Sequence, residues 1–240
     1  MPEELKVRQF PFITGVAVAG SRGQPKSRPT VGGSLVDQAG GMTIASVLWL
    51  GAVVTVMVLL IAYSHSPGNA GAPPTNWPAQ SQVPLDLIRP TLVMFAHPRC
   101  PCTRSSLGEL ELLLARCPER LSAHVVFIRP AGTSEDWLKT DLWRRANSIP
   151  GVTVHFDDGG AEARRFHSET SGQVLLYEHR GRLIFSGGIT IARGHSGDNP
   201  GRSTIVALLE QERSNLIKTP VFGCSLFEAS SPQEGSACSK

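Results

Sequence analysis

A short stretch in the middle of the chain most constrains its fold, because it changes character twice within a few residues. The run Thr91–Phe95 has the β-branched and aromatic content of a buried strand, and it ends at the helix-incompatible step His97-Pro98. Two cysteines follow, Cys100 and Cys102, and leucines then recur at helical spacing. We therefore predict a strand, a tight turn that carries two thiols, and a helix.

The position of these thiols predicts their chemistry. Backbone N–H groups and the positive dipole end of the predicted helix would point at Cys100 and Cys102 and favour the thiolate form. The thiolate is the reactive form of cysteine. We interpret the two residues as a redox pair, with Cys100 as the exposed nucleophile and Cys102 as the resolving thiol. The alternative is a structural disulfide or two idle thiols.

The composition excludes several classes of protein. The 240-residue chain is long enough for one domain with appendages, and its net charge of +3 is only mildly basic. No cluster of Lys and Arg has interleaved aromatic residues, so we expect no nucleic-acid partner. Five cysteines are an odd number and too few for a disulfide scaffold.

A long apolar run precedes the two thiols. No charged residue occurs between Asp37 and Asp86, and roughly 20 consecutive residues within this interval are apolar enough to span a bilayer as a helix. A core helix rarely runs so long without a polar face, and the apolar region of a signal peptide is usually only ~7–15 residues. We predict an uncleaved transmembrane helix at residues 42–64. The alternative is a signal peptide cleaved after Ala70.

The charges on either side of this run predict the topology. Basic residues precede the span and none follows it closely, so the N-terminus should be cytoplasmic and the rest of the chain periplasmic, outside the inner membrane, where disulfides persist. We divide the chain into a disordered cytoplasmic segment at 1–41, the transmembrane helix at 42–64, a Pro/Gly-rich linker at 65–84, a globular domain at 85–215 and a C-terminal extension at 216–240.

The globular part predicts alternating strands and helices. After the first helix, we expect a strand at 123–128, a helix from Ser134 to Ser148, a strand at 152–156, a short helix at 161–166, a hairpin of strands at 172–177 and 182–186, and a last helix at 201–213.

This order of elements, with thiols at the first strand-to-helix turn, resembles the thioredoxin fold over roughly residues 85–215. The resemblance implies an α/β three-layer sandwich with a mixed sheet. More narrowly, six stretches are similar to those of RedB-type membrane-anchored thioredoxin-like proteins, which implies a redox-type domain behind an anchor. The stretches are His97-Pro-Arg-Cys-Pro-Cys102, Asp157–Ala163, Thr170–Tyr177, Ser186–Ile189, Arg193-Gly-His195 and Pro220–Cys224.

Two features depart from the thioredoxin pattern. The thioredoxin motif is Cys-x-x-Cys, whereas one residue fewer separates Cys100 and Cys102, so a disulfide between them would close a smaller ring and should be more oxidising. In the loop before the hairpin, where the fold usually places a cis-proline that faces the thiols, this chain has Ser171-Gly172-Gln173.

Three further residues are candidates for the site. His97 could lower the pKa of a thiol or ligate a metal, or it could be a turn residue with its ring in solvent. His195 lies in a Gly-rich loop and could act as a base or ligand, the alternative being a surface position. Cys224 could fold back to form a mixed disulfide with the pair or complete a metal site, or it could be a buried or free thiol of the extension.

Three functions are compatible with these features. The first is a membrane-anchored, extracytoplasmic thiol–disulfide oxidoreductase that needs no cofactor and whose partners are protein thiols or disulfides and a further redox protein. The second is a copper-binding chaperone or assembly factor on the same fold, with Cys100, Cys102 and His195 as Cu(I) ligands. The third is a non-catalytic interaction domain with a vestigial pair, which the missing cis-proline would favour.

Overall fold

The computed structural model describes residues 35–211 and 217–227 of the chain. Most of the segment predicted to be disordered, 1–41, lies outside the described residues, as do Cys238 and the predicted end of the last helix at Arg213.

The first helix, α1, spans Leu35–Ser64 and begins before the predicted boundary at Met42. A helix extends at little cost once it has nucleated, and no proline occurs within this range to stop it. Its part Met42–Ser64 has a mean hydropathy of 2.7 and is long and apolar enough to cross a membrane.

A six-stranded mixed sheet forms the centre of the domain. The strands are β1 (Thr91–Ala96), β2 (Ser122–Arg129), β3 (Val152–Asp158), β4 (Gln173–Tyr177), β5 (Leu183–Gly188) and β6 (Ile217–Lys218), and the helices are α2 (Pro101–Arg116), α3 (Asp141–Ser148), α4 (Ala161–Arg165) and α5 (Pro200–Gln211). The strand order in the sheet is β3-β2-β1-β4-β5-β6. The first three strands are mutually parallel, and β4 is antiparallel to both β1 and β5.

Both faces of this sheet are covered, which explains why β1 is apolar throughout. Leu92 and Met94 pack with α2, α3 and α5 on one face, whereas Val93 and Phe95 pack with α4 and the segment before β1 on the other. The predicted three-layer α/β arrangement with a mixed sheet is confirmed, and the chain has a thioredoxin-like fold.

The segment predicted as a linker, 65–84, instead packs against the domain. The Gly68 N–H donates to the Val221 carbonyl at 2.8 Å, and the Trp77 ring lies edge-on to two buried aromatic rings, 5.1 Å from each. Val83 is only 2% exposed. These apolar side chains cover a face of the sheet that water would otherwise contact, and this burial explains why the segment does not act as a spacer.

The single helix predicted from Ser134 to Ser148 is two shorter elements. A turn of 3₁₀-helix covers Glu135–Trp137, and α3 begins only at Asp141. Thr140 caps α3, because its side chain accepts a hydrogen bond from the Trp143 N–H at 3.3 Å.

The described part of the predicted C-terminal extension returns to the domain. Strand β6 pairs in parallel with β5 at the edge of the sheet. The residues after it, Thr219–Phe227, which we call the C-terminal segment, then run back towards the turn between β1 and α2. The Gly188 N–H donates to the Pro220 carbonyl at 3.1 Å at the start of this path.

Candidate thiol–disulfide site

The two cysteines of the motif lie at the turn between β1 and α2. Cys100 is the N-cap residue of α2, with an extended backbone, and Pro101 occupies the first helical position, where a missing N–H costs nothing. The Thr103 N–H donates to the Cys100 carbonyl at 3.0 Å and so begins the helix. Cys102 follows on the buried side of the first turn.

A third cysteine lies against the first. The sulfur of Cys224, in the C-terminal segment, is 2.9 Å from that of Cys100. The prediction that Cys100 is an exposed nucleophile is wrong about its exposure, because this residue is only 1% exposed. Cys102 is 9% exposed, whereas Cys224 is partly accessible from solvent.

Backbone hydrogen bonds hold Cys224 in this position. Thr170 and Ser225 form an antiparallel β-bridge, and between them the Ser171 N–H donates to the Cys224 carbonyl at 2.8 Å. The C-terminal segment thus pairs with the loop before β4 as a short antiparallel strand.

This pairing requires a very close approach of the two backbones. A Cβ atom at Gly223 would lie 1.9 Å from the Ser171 carbonyl oxygen, and one at Gly172 would lie 2.7 Å from the Ser106 hydroxyl. Gly172 also has φ = +88°, a backbone conformation that is strained for any residue with a side chain. The glycine beside Cys224 is therefore required for the contact between the two sulfur atoms.

Ser171 connects the loop to the turn that carries the thiols. Its hydroxyl accepts a hydrogen bond from the His97 N–H at 2.9 Å and lies 2.8 Å from the hydroxyl of Thr103. Ser171 thus fixes both ends of the turn from the position where a thioredoxin would place its cis-proline, and no peptide bond among the described residues is cis.

The surroundings of the thiols favour the thiolate form of Cys100 over that of Cys102 or Cys224. Burial raises its pKa, but hydrogen bonds from Cys224 and from the backbone of Thr103 and Cys102 outweigh burial and bring the pKa below its ordinary value. Burial, followed by the charge of Cys100, raises the pKa of Cys102. Burial, together with the hydrogen bond and charge of Cys100, raises the pKa of Cys224 to about 12.

Arg193 is the positively charged residue beside these thiols, and it was not singled out from the sequence. Its charge lowers the pKa of both Cys102 and Cys224 against the effect of burial. Its guanidinium donates to the Gly223 carbonyl and, at 3.0 Å, to the Ser66 carbonyl. The signal available was its place in the Arg-Gly-His motif of a Gly-rich loop.

The two candidate histidines take different positions. The ring of His97 is half-buried, lies edge-on to Trp137 at 5.5 Å and accepts a hydrogen bond from the Arg99 N–H at 3.2 Å. Burial, then the charge of Arg99, lowers the pKa of His97. The His195 ring is exposed and contacts the Arg193 carbonyl at 2.8 Å.

The structure does not bring together Cys100, Cys102 and His195, the copper ligands proposed from the sequence, as a set of three. Within the described part of the chain, no group of three or more His, Cys, Asp or Glu side chains could hold a metal ion.

A cavity of about 400 Å³ opens next to the thiol turn. His97 and Trp137 line one side of it, and Leu226 and Phe227 of the C-terminal segment line another. The guanidinium of Arg164 stacks on the Phe227 ring at 4.6 Å. The cavity thus combines aromatic walls with positive charge.

Comparisons with known proteins give likenesses among solved structures. Neither models of protein families nor curated proteins give a match. An uncharacterized conserved protein from Geobacillus kaustophilus has 17% identity over 70% of this chain and 95% of its own, with a TM-score of 0.49. A secreted disulfide oxidoreductase from Mycobacterium tuberculosis has 13% identity over 53% and 84% of the two chains, with a TM-score of 0.38. The thioredoxin domain of a thiol-disulfide oxidoreductase from Bacteroides vulgatus has 16% identity over 60% and 98%, with a TM-score of 0.37.

Proposed function

We propose that this protein is a membrane-anchored, extracytoplasmic thiol–disulfide oxidoreductase of the RedB type in which Cys100 is the reactive thiolate. The observation that carries the proposal is the contact at 2.9 Å between the sulfur of Cys100, at the start of α2, and a second thiol, that of Cys224. Hydrogen bonds lower the pKa of Cys100 at this position, as a thiolate nucleophile requires.

The chemistry needs only thiols. A Cys100 thiolate attacks one sulfur of a partner disulfide, the partner's S–S bond breaks, and one partner sulfur leaves as a thiolate. A second thiol of this chain, Cys102 or Cys224, then loses its proton and attacks the Cys100 sulfur, which releases the second partner thiolate. Two electrons pass to the partner, and the same steps in reverse oxidise a partner dithiol.

The contacts made at the C-terminal end of α1 support an anchor that is retained. The Arg193 N–H donates to the Ser64 carbonyl at 2.9 Å, and the Arg193 guanidinium lies 5.1 Å from the Tyr63 ring. Cleavage after Ala70 would remove these partners and the hydrogen bond from Gly68 to Val221. A signal peptide that is cut off would not contribute contacts to the mature domain.

The test is redox titration of the full-length protein in detergent. Glutathione buffers from about −320 to −120 mV span the known range of thiol–disulfide proteins, and alkylation with mass spectrometry counts the free thiols at each potential. We expect one reversible disulfide that involves Cys100, and we expect Cys100→Ser to abolish exchange with a dithiol or disulfide substrate. Cys117→Ser is the matched control, because Cys117 is a buried thiol at the other end of α2.

Two results would overturn the proposal. One is that Cys100→Ser exchanges thiols as fast as the wild-type protein. The other is that Cys100 forms no disulfide at any potential, while copper bound through purification is lost in Cys100→Ser, which would favour the copper chaperone instead.

A further inference from the structure

We propose that Cys224, rather than Cys100 or Cys102, is the sulfur through which this site exchanges electrons with its partners. In this proposal, which rests on the proposed function, the oxidised form carries a Cys100–Cys224 disulfide and an external thiolate attacks its Cys224 sulfur. The C-terminal segment then acts as a built-in substrate strand that remains on the site.

Main-chain hydrogen bonds hold the C-terminal segment as they would hold a bound peptide. An extended peptide that adds to an exposed sheet edge or loop is held by main-chain hydrogen bonds. The C-terminal segment has such bonds at Cys224 and two residues after it, since the Ser171 N–H donates to the Cys224 carbonyl and the Leu226 N–H donates to the Glu169 carbonyl, both at 2.8 Å. It therefore presents Cys224 to Cys100 as a bound peptide would present its own cysteine.

The three cysteines of the cluster differ in accessibility. Cys100 is 1% exposed and Cys102 is 9% exposed, so both residues are less accessible to a protein partner than Cys224 while the C-terminal segment is in place. Cys224 lies at the surface of the same cluster and is partly exposed. In an oxidised Cys100–Cys224 pair, attack on the accessible sulfur is attack on Cys224.

The two sulfurs of a Cys100–Cys224 disulfide differ as leaving groups. A disulfide is cleaved faster when the thiol that leaves has the lower pKa. Hydrogen bonds lower the pKa of Cys100, whereas burial and Cys100 itself raise that of Cys224, so Cys100 is the better leaving group. Exposure and leaving-group ability thus direct an incoming thiolate to the same sulfur.

The exchange balances with a partner dithiol as the reductant. One partner thiolate attacks Cys224, the Cys100–Cys224 bond breaks, and Cys100 leaves as a thiolate while a mixed disulfide forms on Cys224. The second partner thiol loses its proton and attacks the first partner sulfur. The partner is thereby oxidised to a disulfide, Cys224 leaves and takes up a proton, and two electrons have entered the pair. The reverse steps re-oxidise the pair: in this inference Cys224, in place of Cys100, attacks a partner disulfide, and the Cys100 thiolate then attacks the Cys224 sulfur and releases the second partner thiolate.

The guanidinium of Arg193 assists the partly exposed cysteine. Arg193 donates to the Gly223 carbonyl, next to Cys224, and its positive charge offsets part of the rise that burial and Cys100 cause in the pKa of Cys224. The same charge favours the approach of an anionic thiolate from outside, because opposite charges attract most strongly where water is partly excluded. Arg193 is therefore a positioning residue for Cys224.

Peptide mapping of the full-length protein tests which cysteines pair. Trypsin releases Cys100 and Cys102 together in the peptide 100–104 and Cys224 in the peptide 219–240. The second peptide also contains Cys238, so Cys238→Ser is the parent protein for all measurements. We expect oxidation to link the two peptides, and we expect Cys102→Ser to form the same link with an equilibrium constant against glutathione within threefold of the parent.

A second measurement tests which sulfur is attacked. The oxidised protein receives a brief pulse of glutathione, the reaction is quenched with acid, and the glutathione adduct is located by mass spectrometry. We expect at least tenfold more adduct on peptide 219–240 than on peptide 100–104. Adduct that forms mainly on peptide 100–104 would overturn the assignment of Cys224 as the exchanging sulfur.

The two proposals fail in different ways. A bond between Cys100 and Cys102 in the parent, with Cys224 alkylated at every potential, would overturn the present inference and leave the proposed function intact. The absence of any disulfide on Cys100 together with absent exchange would overturn both. These results come from the parent protein itself, so they do not depend on whether a Cys224 variant folds.

Discussion

Gly223→Ala should weaken the Cys100–Cys224 disulfide without touching either sulfur. The new Cβ would lie 1.9 Å from the Ser171 carbonyl oxygen, whereas ordinary contacts begin at 3.4 Å, so the segment must move by about 1.5 Å. The reduced protein can relieve this overlap by releasing the segment, but the disulfide holds it in place. Overpacking of this kind costs about 1–3 kcal/mol, so the equilibrium constant for the disulfide against glutathione should fall by about 5- to 150-fold.

The same free energy corresponds to a potential about 20–60 mV more oxidising, which redox titration of the alkylated protein resolves. Gly108→Ala, in helix α2, is the matched control, because the new Cβ would contact only the flexible end of the Arg145 side chain, at 3.3 Å. We expect this control to keep the wild-type potential. An unchanged potential in Gly223→Ala, with the protein folded, would refute the argument that the close backbone approach holds Cys224 against Cys100.

Three further predictions concern the thiolate and the stability of the domain. Cys224→Ala should raise the pKa of Cys100, because it removes the largest hydrogen bond to the thiolate, and the pH profile of iodoacetamide alkylation should move upward; an unmoved profile would contradict this. Glu109→Gln should lower the free energy of unfolding in urea by about 3 kcal/mol, because the substitution removes the fully buried carboxylate that lies 2.7 Å from the Arg202 guanidinium. A loss below about 1 kcal/mol would contradict this prediction. Burial lowers the pKa of His124 to about 4, so the free energy of unfolding of the wild-type protein should fall by at most about 3 kcal/mol as the pH drops from about 6.5 towards 4. His124→Gln should make this dependence on pH less steep in unfolding experiments. Equal slopes for the two proteins would exclude the effect.

The sequence predicted the parts of the fold that local patterns determine. The apolar run of β1, the Pro98 break and the leucines of α2 lie within about 25 consecutive residues, and each follows from backbone and side-chain preferences of neighbours. The position of the motif thiols at the start of α2 was predicted for the same reason. The break before α3 was not, because the capping bond of Thr140 competes with an otherwise continuous helical pattern.

The partner of Cys100 could not be predicted from such patterns. Cys224 is 124 residues away in the chain, and periodicity carries no information about which distant segments meet. Pro220–Cys224 resembles a stretch of RedB-type proteins, and the sequence offered a fold-back of Cys224 onto the pair only as one alternative. The structure explains the glycine that precedes Cys224 by the close approach to Ser171. The contacts of Arg193 could not be predicted from local patterns either, since they join Ser64, at the end of α1, to Gly223 in the C-terminal segment.

Both departures from the thioredoxin pattern are at the places that the C-terminal segment contacts. A proline at position 171 would lack the N–H that Ser171 donates to the Cys224 carbonyl, so the chain could not hold its own segment there with a cis-proline. A side chain at position 172 would overlap the Ser106 hydroxyl. If Cys224 is the partner of Cys100, the spacing of a Cys-x-x-Cys ring is no longer needed, and Cys102 is free to lie closer and buried. The two departures then have one cause, which is that this domain supplies the peptide that a thioredoxin would receive from a substrate.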